Sequence, residues 1–162
     1  MYIDDTKIDH SFILQGDIIL NFKFPSIVLK EGKYELVERQ ENIILLSQSC
    51  DLQFNQKKND RFILCPLRTE TQIRESLNKE KISEESVNGR ISNMKGNKKL
   101  DVIYLPANNS IEDSFAIFPM MLSLQSEVLE NNNISIRLND VGRHFLADRL
   151  HMFLCRAFDP TK

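Results

Sequence analysis

A thiol and a carboxylate stand side by side at Cys50 and Asp51, where the apolar run at 43–46 gives way to small polar residues. A cysteine with a histidine base can act as a nucleophile, and an aspartate can accept a proton. The structural alternative is that Cys50 fills a small half-buried gap while Asp51 accepts backbone N–H groups in a turn. The sequence brings no histidine to Cys50, so both interpretations stay open.

Two arginines and a threonine could act on a phosphate. Arg39 precedes the first central apolar run, and Arg68 and Thr69 follow the second run, at 62–67. Cleavage of RNA through its own 2′-hydroxyl needs a base, an acid and positive charge over the phosphate. Arg39, Arg68 and Thr69 would supply this set, with Asp51 as the base. The structural alternative makes both arginines solvated charges and Thr69 the N-cap of a helix.

The segment 89–99 combines positive charge with residues that favour loops. Its basic residues are Arg90, Lys95, Lys98 and Lys99. Gly96 and several Asn and Ser residues predict a flexible loop. Such a loop could follow a phosphate backbone, or cover a groove lined by Gln48, Ser49 and Cys50. It could equally be a solvated loop, since it has no aromatic residue on which a base would stack.

The three cysteines, Cys50, Cys65 and Cys155, form no Cys-x-x-Cys pair, so we predict no metal site and no cofactor. An odd number of cysteines, two of them inside apolar runs, favours a reducing cytosol over a disulfide scaffold. The acidic N-terminus has no signal-peptide pattern, and no apolar run approaches the ~18 residues of a membrane span. We therefore predict a cytoplasmic protein.

The composition is that of an ordinary folded domain: 162 residues, 41% hydrophobic and 27% charged. A chain of this length can bury a sizeable core without metal or disulfides. The net charge of −2 gives the molecule no overall attraction for nucleic acid, so any such binding would need a local basic patch.

Apolar runs and alternating patterns predict strands through much of the chain. Gly16 and Asp17 open the first strand, and Pro25 should end it. A hairpin with its turn at 31–33 follows, and a charged, exposed segment at 38–41 separates this hairpin from the two central strands. Later strands are predicted at 100–105, 115–119, 121–124 and 134–138.

The sequence pattern predicts helices in two regions. Residues 70–85 have a thin apolar stripe that is typical of one or two surface helices. The clearest helix is the last one, which begins at Asn139 or Asp140. Its buried face should hold Val141, Phe145, Leu146, Leu150, Phe153 and Leu154. The thin stripe and the apolar cluster at 120–122 could pack in the core or form a dimer or partner surface.

Antiparallel strands joined by short turns and packed by one helix predict a mainly β, α+β fold, a small and partly closed antiparallel barrel. We expect one domain over 1–162, with a flexible arm at 1–10 and a helical and basic-loop insertion at 70–99. No internal repeat or low-complexity segment interrupts it.

The order of elements resembles that of the PemK/MazF-like toxins, which have a small SH3-like barrel and a C-terminal helix. The resemblance begins with Gly16-Asp17-Ile18, which opens the first predicted strand. The resemblance continues through the stretches 43–47, 62–67, 113–117 and 139–155. It covers most of the chain in order, although the segment 71–99 is longer than this family usually has.

The resemblance implies a ribonuclease that needs no metal, with single-stranded RNA, an antitoxin or other protein, and a second copy of the chain as partners. The family uses an arginine before the core strand and a hydroxyl residue after the next strand. By position the arginine falls on Glu41, with Arg39 nearest, and the hydroxyl falls near Arg68 or Thr69. Two hypotheses follow: an RNA-binding or RNA-cleaving protein, and a catalytically inactive module that binds a partner or ligand. Glu41 favours the second.

Overall fold

The computed structural model describes residues 1–3, 7–49, 61–129 and 134–157. The strands are β1 (Asp17–Lys30), β2 (Lys33–Leu45), β3 (Arg61–Thr69), β4 (Val102–Leu105), β5 (Ser114–Ile117), β6 (Leu122–Gln125) and β7 (Ile136–Arg137). The helices are α1 (Glu70–Lys79), α2 (Glu84–Lys95) and α3 (Asp140–Ala157), with short 3-10 turns at Phe118–Met120 and Ser126–Leu129. The predicted turns at 56–60 and 131–133 lie outside the described residues.

The strands pair antiparallel in one sheet, in the order β4-β5-β3-β2-β1-β7, with β6 also on β3. The two central apolar runs are adjacent strands as predicted, with Ile43 opposite Pro66 and Leu45 opposite Leu64. The α+β class is therefore confirmed. Within the described residues β4 and β7 are the outermost strands of the sheet and do not pair with each other, so closure into a barrel is not confirmed.

Strands β1 and β2 form one long hairpin rather than several short elements. The predicted turn is confirmed, and Glu31 and Gly32 both adopt positive φ (50° and 78°), as a two-residue hairpin turn requires. The prediction that Pro25 ends the first strand is wrong, because β1 continues through it to Lys30. Past Ile18 the other edge of β1 has no described partner, so the missing proline N–H costs no sheet hydrogen bond. The charged segment 38–41 likewise continues β2.

Side chains from both faces of the central strands are buried. On one face Ile44 and Cys65 pack with residues of β4, β5 and α3. On the other face Phe22, Ile43 and Leu64 pack with side chains of β6 and the 3-10 turn that follows it. Alternate residues of each central strand therefore enter different clusters, which explains their nearly continuous apolar sequence.

Helix α3 begins as predicted, and the Asn139 side chain accepts the Gly142 N–H at 2.8 Å. The prediction of its buried face is wrong in part. Leu146 is fully buried and Leu150 and Phe153 pack against the core, but Val141, Phe145 and Leu154 are exposed. Close packing at Gly142 selects this face, since a Cβ there would lie 2.9 Å from the Met1 carbonyl oxygen.

The first three residues pair with the end of the sheet. Tyr2 forms a bridge with Leu138, and the Ile3 N–H donates to the Arg137 carbonyl at 2.9 Å. Ile8, from the same predicted arm, is buried. These contacts tie part of the N-terminal arm to β7 and to the start of α3.

The helical insertion at 70–85 is confirmed, but the loop predicted at 89–99 is wrong over most of its length. Residues 84–95 form α2, in which Val87, Ile91 and Met94 are buried at helical spacing. They pack on Ile73 of α1 and on Phe115 of β5. The two helices thus cover the outer face of β4 and β5. No helix in the described part of the chain is long and apolar enough to cross a membrane.

Candidate ligand-binding cleft

The polar residues after β2 hold neighbouring backbone in place. The Ser47 hydroxyl accepts the Ile63 N–H at 2.7 Å, and the Ser49 hydroxyl accepts the Gln15 N–H at 3.1 Å. The Gln15 side chain in turn donates to the Leu46 carbonyl at 2.7 Å. Cys50 and Asp51 lie outside the described residues, so the nucleophile and base predictions for them stay predictions.

The structure does not bring Gln48 and Ser49 together with Arg68 and Thr69. The Leu46 N–H donates to the Ile63 carbonyl near the start of β3. Arg68 and Thr69 are the last two residues of that strand. Ile63 and Arg68 are five positions apart, which corresponds to about 16 Å along a strand. A groove shared by all four predicted residues is therefore not formed by the described chain.

Arg39 and Arg68 meet at a single carboxylate. The Arg68 guanidinium lies 3.1 Å and that of Arg39 3.6 Å from Glu41, whose position matched the arginine of the family. Glu41 and Arg68 are largely buried, whereas Arg39 is more exposed. The pair of arginines is thus partly neutralised by Glu41, the position on which the resemblance predicts an arginine.

Thr69 caps α1, as the structural alternative proposed. Its hydroxyl accepts the Gln72 N–H at 3.2 Å, and the Gln72 side chain accepts the Thr69 N–H at 3.1 Å. This reciprocal capping box satisfies two N–H groups at the helix start. Capping accounts for Thr69 without any catalytic role.

Lys95 joins α2 to α1 and to the loop before β5. Its ammonium lies 2.5 Å from Asp113 and 2.7 Å from Glu70. The Tyr104 hydroxyl also donates to Asp113, at 2.7 Å. The hydrogen bonds from Lys95 and Tyr104 lower the pKa of Asp113 to about 2. Hydrogen bonds from Lys95 and Arg74 lower the pKa of Glu70. The hydrogen bonds that Lys95 donates to Asp113 and Glu70 raise the pKa of Lys95. Lys95 is therefore a structural cation.

This cluster makes the helical layer sensitive to acid. The folded pKa of Asp113 lies below its unfolded value, so its contribution to stability is present above pH ~4 and is lost as the pH falls towards 2. We expect Asp113→Asn to lower the free energy of unfolding at pH 7 by roughly 1 kcal/mol, because water screens this partly exposed pair. Urea unfolding at pH 7 and pH 3 measures the effect. Equal losses at both pH values would contradict it.

A cleft of about 460 Å³ opens between the two helices and the outer strands. Its apolar lining comes from α1, α2, β4, β5 and the turn after β5: Ile73, Leu77, Met94, Val102, Ile117 and Met120. Its polar lining is Arg68, Gln72, Ser76, Arg90, Lys99 and Asp101. Three of the predicted site residues, Arg68, Arg90 and Lys99, are thus brought to one cleft. Arg39, Thr69, Lys95 and Lys98 are not among the residues that line it.

The three cations of the cleft differ in how firmly they are held. Arg68 is paired with Glu41, as described above. Arg90 is paired with Glu80 at 3.4 Å, and both side chains are exposed, so this contact contributes little and is easily exchanged. The ammonium of Lys99 makes no ion pair with any described residue. Among the described residues that line the cleft, Asp101 is the single carboxylate.

Arg149 of α3 fixes the turn that carries Lys99 and Asp101. Its guanidinium donates to the carbonyl oxygens of Asn97 (2.6 Å), Lys99 and Val102 (3.4 Å). Arg149 is not among the residues that the sequence predicts for the buried face of this helix. The role of Arg149, like that of Asp101 in the cleft, depends on contacts between distant parts of the chain, and no local sequence signal indicates it.

The two described cysteines give no sign of a reactive or metal-binding site. Burial raises the pKa of the Cys65 thiol to about 12, and the thiol donates to the Ile117 carbonyl at 3.2 Å. Cys155 is exposed on α3, 3.5 Å from the nearer ring nitrogen of His151. Among the residues that the structure describes, no group of three His, Cys, Asp or Glu could hold a metal ion.

No protein-family model matches the chain, and a search of curated proteins finds no significant match.

Proposed function

We propose that this protein is a binding module whose cleft between α1, α2 and the outer strands takes an organic phosphate. By this we mean a phosphate group attached to a body with an apolar face, such as a nucleotide. One observation carries the proposal: Arg68, Arg90 and Lys99 line a cleft whose other described lining residues are mostly apolar and include one carboxylate. This places the proposal with the binding-module hypothesis.

The two parts of the lining suit the two parts of such a ligand. Binding sites for small molecules are mostly apolar, with a few polar groups that fix orientation, and 460 Å³ lies in their usual range. Guanidinium groups match the geometry of phosphate oxygens, and an ammonium adds a compact charge. Arg90 can exchange its weak contact with Glu80 for phosphate, and the Lys99 ammonium makes no ion pair with a described residue.

A second candidate is the binding or cleavage of single-stranded RNA. The observation that favours it is the meeting of Arg39 with Arg68, since Arg68 also lines the cleft. RNA would present the same phosphate chemistry as a free nucleotide and could extend from the cleft towards Arg39. Cleavage is less well supported because the Glu41 carboxylate pairs with both arginines and partly neutralises them, and because the Thr69 hydroxyl caps α1. From the order of the elements we also propose a relationship to the PemK/MazF-like toxins and their barrel.

Calorimetric titration tests the proposal, with adenosine monophosphate and a short single-stranded RNA as separate probes in buffer containing EDTA. We expect the mononucleotide to bind with a Kd below about 1 mM. In the variant Arg90→Gln/Lys99→Gln the affinity should fall about ten-fold or more, because two charged contacts to phosphate are lost. Much tighter binding of RNA than of the mononucleotide would make RNA the natural ligand.

The variant Lys30→Gln/Lys33→Gln is a matched control. It removes the same net charge from two exposed lysines that do not line the cleft. We expect its affinity to stay within about two-fold of the unmodified protein, since distant surface charges are screened by salt. Equal losses in both variants would reduce the effect to general electrostatics and contradict the proposal. The proposal would also be contradicted if neither probe bound at about 1 mM, because a Kd of about 1 mM is the weakest affinity that the proposal allows.

A further inference from the structure

The outer half of the β1–β2 hairpin carries an exposed apolar face. Ile27 and Leu36 lie opposite each other across the two strands, as do Leu29 and Tyr34. Residues two apart on a strand point to the same side, so these four side chains share one face. Their exposed fractions run from 65% for Leu29 to 80% for Tyr34. Isolated exposed apolar residues are ordinary, but a contiguous cluster of four is not.

This part of the hairpin also lacks support from other strands. Strand β1 pairs with β7 only at Asp17 and Ile18, and β2 pairs with β3 only from Ile43 onwards. Between Phe22 and Glu41 both outer edges are therefore free of described strands. A two-stranded ribbon is marginally stable in water, and a second apolar surface packed on its face would stabilise it.

We infer that the face formed by Ile27, Leu29, Tyr34 and Leu36 is a self-association surface, on which a second copy of the chain packs its identical face. The inference does not depend on the proposed ligand of the cleft. In a two-fold arrangement the same patch serves both partners, and apolar side chains meet apolar side chains.

The charges around the face fit a second copy better than a charged partner. Lys23 and Glu38 lie at its base and pair at 3.1 Å. Lys30 and Lys33 alternate with Leu29 and Tyr34 and so point to the opposite face, as does Glu35, which pairs with Val28. The charged side chains that share the apolar face, Lys23 and Glu38, therefore sum to zero and favour neither nucleic acid nor an anionic membrane. Under two-fold symmetry Lys23 of each copy can approach Glu38 of the other.

The area is sufficient for a specific but modest interface. Four large side chains at these exposures present roughly 500 Å² per copy, at the upper end of apolar patches on single proteins. Two copies face to face would remove on the order of 1,000 Å² from water, which is the lower bound for a specific interface. We therefore expect an equilibrium between single chains and dimers rather than a permanent dimer.

Sedimentation-equilibrium measurements on the full chain test this inference. We expect the average mass to rise towards twice that of one chain, with a dimer Kd in the micromolar range. Leu36→Glu should weaken the dimer about a hundred-fold or more, because each copy then places a carboxylate in the apolar interface. Val141→Glu is the matched control: Val141 belongs to α3 and not to the hairpin, and it is 77% exposed, against 76% for Leu36. This control should leave dimerisation unchanged.

A second measurement keeps the inference testable if Leu36→Glu disturbs the hairpin itself. In a sample that mixes two isotope-labelled forms of the unmodified protein, we expect intermolecular methyl contacts from Ile27, Leu29 and Leu36. The inference would be overturned if the protein stayed a single chain up to about millimolar concentration, because even a weak dimer would form there. Equal dissociation by both variants, or intermolecular contacts that arise only from another surface, would overturn it too.

Discussion

Replacing Arg137 with methionine should lower the free energy of unfolding by about 3–5 kcal/mol, because it leaves a buried carboxylate without its partner. Arg137 is 3% exposed and Asp17 is completely buried. The guanidinium donates to both oxygens of Asp17, at 2.7 and 2.8 Å. It also donates to the carbonyl oxygens of Asp9 and Phe12, so the loop before β1 depends on the same side chain.

Urea unfolding followed by circular dichroism measures this loss. The double variant Arg137→Met/Asp17→Asn should be more stable than Arg137→Met alone, because it no longer buries an unpaired charge and keeps an acceptor for the Leu14 N–H. Arg143→Met is the comparison at the surface: the Arg143 side chain is 28% exposed and its partner Asp140 is 79% exposed, so loss of this pair should cost about 1 kcal/mol or less. A loss below about 1 kcal/mol in Arg137→Met would refute the interpretation of a buried, obligatory pair.

Replacing Phe115 with alanine should cost a similar amount, about 3–5 kcal/mol, because it opens a cavity in the layer that carries the cleft. Phe115 is fully buried in β5. Its ring lies 5.4 Å from that of Tyr104, and it packs in one cluster with Ile73 of α1 and Ile91 of α2. The residue therefore joins both helices to the sheet beneath the cleft.

The effect of Phe115→Ala should be local as well as global. We expect amide hydrogen exchange to rise first in α1 and α2, since these helices lose their common contact with β5. Phe145→Ala on α3 is the control: this phenylalanine is 37% exposed, and its loss should cost less than about 1.5 kcal/mol. If the two variants lost equal stability, Phe115 would not be the link between the helices and the sheet.

The sheet was largely predictable because its signals are local. The central runs at 43–46 and 62–67 are apolar on both faces, and Gly32 marks the hairpin turn. Helix α2 was missed because Gly89 and several polar residues obscure its buried stripe of Val87, Ile91 and Met94. The prediction for Pro25 was wrong for another reason. A proline costs a sheet hydrogen bond only where its strand edge is paired, and the sequence alone does not show which edges are paired.

The cleft was predictable only in fragments. The place of Arg68 after a central strand indicates this residue, and the charge of their segment indicates Arg90 and Lys99, but no local pattern predicts that the three lie together. Their proximity depends on α1 and α2 packing on β5, which is a tertiary contact. The same limit applies to Arg149, whose carbonyl partners lie 47–52 residues away in sequence. Long-range contacts of this kind have no signature in a single sequence.

The most direct test of the proposed cleft is a methyl NMR titration of the protein with adenosine monophosphate. We expect saturable shifts in the methyl signals of Ile73, Met94, Ile117 and Met120, which line the cleft, while those of Ile27 and Leu36 on the hairpin stay unchanged. The shifts should be lost at the same ligand concentration in Arg90→Gln/Lys99→Gln. Absence of any shift, or shifts centred outside the cleft, would contradict the assignment of this site.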